Sequence, residues 1–205
     1  MNLRLLTLCL LLASFSLEAQ TFKAGLILGL NASQIDGDDV GGYSNPGLRA
    51  GIRASTMFSN EKLQLDTDML FSQRGSRPSA NEVNIIGLDW SFRMDYVEVP
   101  VTLRYSDWYV EDGDYYKVYA KGGLSYGRFF RSKHSDLSPF RNIDEYINNN
   151  DLSITAGMGV YLKKHLQAEI NYTRSIFPFY VRQVGLPWGR SLIGYFVSIQ
   201  FMYEI

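Results

Sequence analysis

Every second residue from Ile193 onward is large and apolar: Ile193, Tyr195, Val197, Ile199, Phe201, Tyr203 and Ile205. The residues between are mixed: Gly194, Phe196, Ser198, Gln200, Met202 and Glu204. A period of two places alternate side chains on opposite faces of a β-strand. A strand with so apolar a face must be paired on both edges, or it becomes a template for aggregation. Pairing the last strand against the first, in a closed barrel, meets that demand, and the rest of the chain can be tested against it.

The same period recurs upstream. It predicts strands at 21–32, 47–58, 62–73, 92–105, 115–128, 151–162 and 166–174, with 191–205 the eighth. Segments 33–46, 74–91, 129–150 and 175–190 are rich in Gly, Asp, Asn or Pro and read as long loops, whereas 59–61, 106–114 and 163–165 read as turns. Long and short connections alternate without exception. Pro100 has no N–H for a ladder, so a bulge or a break in pairing is expected there. The fold expected is all-β, an eight-stranded antiparallel up-and-down transmembrane barrel of the smallest outer-membrane size. An even strand count puts both termini at the turn end, the periplasmic side in a bacterial outer membrane.

Charge and composition exclude other classes. Lys+Arg 20 against Asp+Glu 21 leaves no basic excess for nucleic acid. Beyond the N-terminus no apolar run reaches the ~20 residues of a spanning helix. Residues 1–19 read as a secretory signal, with Arg4 ahead of an apolar core at 5–15 and cleavage after Ala19, leaving 20–205 as the barrel domain. The single cysteine, Cys9, lies within that core, so thiol chemistry is not expected of the mature chain.

Alternation alone does not say which face is inside. A secreted lipocalin-like barrel, closed around a small ligand, turns its apolar face inward. The membrane alternative is favoured by glycines on the mixed faces, by apolar faces free of charge along their middles, and by aromatics near strand ends. Phe58, Tyr105, Trp108, Tyr116 and Tyr203 would form one interfacial girdle, and Phe71, Phe92, Tyr126 and Tyr195 the other. The lumen then holds Lys23, Arg49, Arg53, Arg104 and Lys121 with Asp66, Asp68, Glu98 and Glu169. Such charges must pair, because an unpaired buried charge is costly. Eight strands leave an interior just filled by side chains, so a salt-bridged plug is expected rather than an ion path.

Residues 96–105, YVEVPVTLRY, resemble the Tyr-aliphatic-Glu-aliphatic-Pro strand of the PorT-like outer-membrane β-barrel family. KAGLILGLN at 23–31, GLRAG at 47–51, FSQRG at 71–75 and Gly157–Gly159 agree with it in order and spacing. The resemblance spans the mature chain and implies an integral outer-membrane barrel. Some relatives are tied to protein export or surface assembly; the family supplies no catalytic residues to transfer.

Chemistry beyond the barrel is sparse. His134-Ser135-Asp136 suggests an outer-membrane enzyme, but triads are made by geometry and not by adjacency, so no enzyme is expected. His165 lies in a turn and reads as solvated. Asp36, Asp38 and Asp39 lack the twelve-residue calcium pattern, and neither a metal nor another cofactor is expected. Tyr43, Phe140, Tyr146, Phe179, Tyr180 and Trp188 place aromatics on polar loops. They would either touch a partner (a protein of the envelope or secretion machinery, a glycan, lipopolysaccharide) or fold down as the outer interfacial belt. The function expected is structural, adhesive or export-accessory, exerted through the loops.

Overall fold

The computed structural model describes residues 22–58, 62–87, 89–140, 143–182 and 189–205. The signal segment 1–19 and Trp188 lie outside the described residues. Eight strands follow in order: β1 (Phe22–Asp36), β2 (Asn45–Met57), β3 (Leu63–Ser76), β4 (Phe92–Val110), β5 (Tyr115–His134), β6 (Asn150–Lys163), β7 (Leu166–Ser175) and β8 (Ile193–Glu204). Each pairs antiparallel with its sequence neighbours, and β1 closes on β8 from Gly25 opposite Glu204 to Asp36 opposite Ile193.

The alternating faces point as a membrane barrel requires. Leu28 is 62% exposed on the outer wall, and Ile199 59%, whereas Arg53 is 1% exposed inside. An interior of charges excludes the apolar cavity of a lipocalin-like barrel. Phe58, Tyr105, Trp108 and Tyr203 are exposed at the turn end, and Tyr126 toward the loop end. Phe92 is a correction: it is fully buried and points inward.

Strands outrun their apolar faces. β1 continues through Ser33–Asp36, paired with β8, and β4 and β5 stay paired to Val110 opposite Tyr115, where a turn was expected. Pro100 holds its register opposite Ser125 of β5. Toward β3 the ladder lapses between Thr67–Val101 and Leu70–Glu98 without any shift, as a missing N–H would cause. The bulge lies elsewhere, where Tyr96 faces Phe129 but Asp95 faces Arg131. Phe130 is the extra residue, and beyond it the inward and outward positions of β5 exchange.

Close approaches between strands need glycine, and two of them show how. A Cβ on Gly123 would stand 2.1 Å from the Val101 carbonyl oxygen of the neighbouring strand. One on Gly159 would stand 2.3 Å from Tyr119 Cζ, so the Tyr119 ring fills the space left beside that glycine.

The second long loop contains a helix the periodicity did not suggest, α1 (Ala80–Ile86). Ser79 caps it and Glu82 reaches back to the Ser79 N–H at 2.7 Å, a capping box. Glu82 also accepts from the Gly41 N–H at 2.7 Å, which ties the first long loop to the second.

Candidate functional site

The inner faces of the strands build a column of charge. Nearest the turn end, Lys23 of β1 pairs with Glu204 of β8 at 2.7 Å. Deeper, Arg53 of β2 grips Asp68 of β3 with two hydrogen bonds, at 2.7 and 3.0 Å, and Glu169 of β7 with two more. Glu169 also takes Lys121 of β5 at 2.6 Å, and Arg104 of β4 reaches Asp66 at 2.7 Å. Toward the loop end, Glu98 joins Arg49 at 2.6 Å to Arg74, whose Nη1 lies 2.5 Å from Asp151. Gln200 links the two groups: its Oε1 accepts from Arg49 Nε at 3.1 Å and its amide donates to Glu169 at 2.7 Å.

All nine side chains that alternation assigned to the lumen lie on the inner wall, and all but Lys23 are buried. Arg74, Asp151 and Glu204 complete the column and were not among them. Among the described residues the column holds six cations and six carboxylates, so it is neutral. Neutrality and multiple partners per group are what allow these charges to lie out of water, because the mutual attraction offsets their lost hydration. Aromatic faces add to this: Arg104 lies 4.1 Å from the Tyr119 ring, and Arg74 4.6 Å from both Tyr96 and Phe196.

Above the column, at the loop end, lies an apolar cluster. Phe92, Met94 and Tyr96 of β4 and Ile35 of β1 meet Trp90, Phe140, Ile143, Ile147, Phe179, Tyr180 and Leu192 from the loops. The placement of Phe140, Phe179 and Tyr180 corrects both expectations for them. They are at most 3% exposed, so they neither offer themselves to a partner nor line the outer belt. Their rings leave water by turning over the barrel mouth. Tyr146 remains exposed, and Tyr43 packs edge-on to Tyr195 with centroids 5.6 Å apart.

The acidic first loop does not converge on a cation. Asp36 pairs with Arg174 at 2.9 Å and Asp39 with Arg190, while Asp38 turns inward. Asp38 is 2% exposed and accepts from the Val40 N–H at 3.2 Å. Burial pushes its carboxyl up to about 6. His134 does not meet Asp136 through the adjacent serine. Its Nε2 lies 2.7 Å from Asp144, its ring stacks on Phe92 at 5.0 Å, and the Ser135 hydroxyl accepts from the Ser91 N–H. Ser132 donates to the other Asp144 oxygen at 2.7 Å, so the carboxylate stands between serine and imidazole. The imidazole is therefore bonded to the carboxylate and not to the Ser132 hydroxyl.

Several solved outer-membrane proteins are similar to the chain at low identity. Ail, the attachment invasion locus protein of Yersinia pestis, solved with the heparin analogue sucrose octasulfate, is 13% identical over 90% of this chain and 99% of its own, with a TM-score of 0.48. OprG of Pseudomonas aeruginosa is 12% identical over 91% and 96%, with a TM-score of 0.45. Neisserial surface protein A is 12% identical over 90% and 97%, with a TM-score of 0.44. No curated protein matches by sequence. The model of the outer membrane protein beta-barrel domain matches residues 5–183, most of the chain. With eight closed strands, an apolar outer wall and a charged interior, the chain belongs to the outer membrane protein beta-barrel domain family.

Proposed function

We propose that this outer-membrane barrel is closed, and that it acts through its loop end as a structural, adhesion or export-accessory protein. The observation that carries the reading is the neutral column of buried ion pairs beneath an apolar cap. A conducting path needs mobile charge and continuous water; here each interior cation has a carboxylate partner, and the mouth above is filled by rings. A scaffold so fixed is suited to holding loops, which carry function when a rigid frame displays them. The PorT-like motifs fit this reading, with both termini in the periplasm. The contacts would be outer-membrane lipid, including lipopolysaccharide, and a protein of the envelope or secretion machinery.

Planar bilayers containing the purified protein test the closure. No stable large conductance is expected; porin-like steps would overturn it. The reading is also non-enzymatic: His134→Ala leaves lipase, acyltransferase and protease assays of the protein unchanged, and a clear loss of any such activity would contradict it.

A further inference from the structure

At the loop end, exposed arginines usually face an acid: Arg77 with Asp89, Arg174 with Asp36, Arg190 with Asp39. The outer wall of β4 and β5 departs from this. The Phe130 bulge exchanges the faces of β5, so Arg131 and Lys133 point outward on the same wall as Arg128. Asp95 takes Arg131 at 2.5 Å, and among the described residues Arg93, Arg128 and Lys133 form no ion pair with an acid. Among the described residues Arg128 donates only to the neutral Asn150, at 2.7 Å. Arg93 and Lys133 stand directly opposite each other across the ladder, a destabilising juxtaposition of like charge. Arg93 Nε is buried with no hydrogen-bond partner among the described residues, although a buried donor ordinarily has one. Below Arg93 and Lys133 lie the exposed ring of Tyr126 and the Phe71–Phe130 pair, centroids 6.1 Å apart, with Arg128 level with Phe71. Going outward from the apolar band, these aromatics precede Arg93 and Lys133, which is the order of acyl boundary and headgroup in a bilayer.

We propose that Arg93, Arg128 and Lys133 form a site for the phosphate headgroup of an anionic lipid at the membrane surface where the loop end emerges. A phosphate between Arg93 and Lys133 would relieve their repulsion and give Arg93 Nε an acceptor, while the lipid chains lie along the aromatics and the apolar wall. The inference rests on the membrane-barrel reading and adds a ligand class and its residues to it.

The test is native mass spectrometry of the intact protein released from bilayer nanodiscs, with phosphatidic acid against phosphatidylcholine as probes. The wild type is expected to retain phosphatidic acid preferentially, and R93Q/K133Q to bind it about 25-fold more weakly, given roughly a fivefold effect per cation at such a surface. R77Q, at the loop end but paired, should match the wild type. If the double variant does not insert, R128Q alone repeats the test with about a fivefold loss. Equal retention of both lipids by an inserted wild type would overturn the inference alone. Displacement of the lipid by millimolar inorganic phosphate would show a free-anion site and overturn it as well. Failure of the wild type to insert, read by heat-modifiable gel mobility, would instead overturn the barrel reading.

Discussion

Glu169 is the residue on which the interior depends most, because Arg53, Arg104 and Lys121 all reach it. Removing one partner of a buried pair strands the others out of water, at a cost of roughly 3–5 kcal/mol. Glu169→Gln should therefore lower the guanidinium unfolding midpoint strongly, while Arg77→Gln, whose pair is half exposed, should leave it nearly unchanged; equal midpoints would contradict a tightly coupled interior. Asp38 gives a pH dependence of definite sign. Its folded carboxyl sits near 6 against an ordinary 3.8, so the folded loop holds the proton more tightly. The resulting stabilisation is complete below about pH 3.8 and is lost as pH climbs through about 6. Limited proteolysis of the first loop should be slower at pH 5 than at pH 8, and Asp38→Asn should remove the difference; a difference that persists in the variant would place its origin elsewhere. The inner charges were legible because strand alternation is strict. Arg74 and Asp151 were not, because the expected strands and loops met where those residues stand. Phe140, Phe179 and Tyr180 carried no periodic signal, and only the closed barrel mouth explains why they turn inward.

At the scale of elements, adjacent glycines on β5 separate packing from propensity. A Cβ on Gly123 runs into the Val101 carbonyl, whereas on Gly122 the nearest atom stands 3.8 Å away. Gly123→Ala should destabilise the barrel by about 1–3 kcal/mol through overpacking, and Gly122→Ala should be neutral or slightly stabilising. Denaturation of the two variants side by side checks this, and similar losses from both would contradict the assigned faces. Strand number and order could be read from period and connection length. Strand ends could not, since pairing continues past the apolar band through polar residues such as Ser33 and Gln34, which have no face to reveal. The Phe130 bulge was equally hidden, since an inserted residue reads as a lapse in alternation. Helix α1 differs: Ser79 and Glu82 stand in the S-x-x-E spacing of a capping box, a signal present in the sequence and outweighed by the surrounding polar residues.

For the whole molecule, the decisive relation is between its two walls. Apolar side chains such as Leu28 and Ile199 face outward and would be stranded in water, while twelve interior charges satisfy one another within the barrel. This inside-out arrangement is stable only where the surroundings are apolar. The family match places that environment in the bacterial outer membrane. The loop end carries the buried apolar cap and, on its outer side, the cationic β4–β5 wall, and it is the end to which the proposed function assigns contacts. The most direct measurement is fractionation of the native host combined with surface proteolysis of intact cells. Recovery in the outer membrane, with cuts confined to 37–44, 77–91, 135–149 and 176–192, is the result expected. Recovery in the soluble periplasm or the medium, or cuts in the short turns of intact cells, would contradict the account.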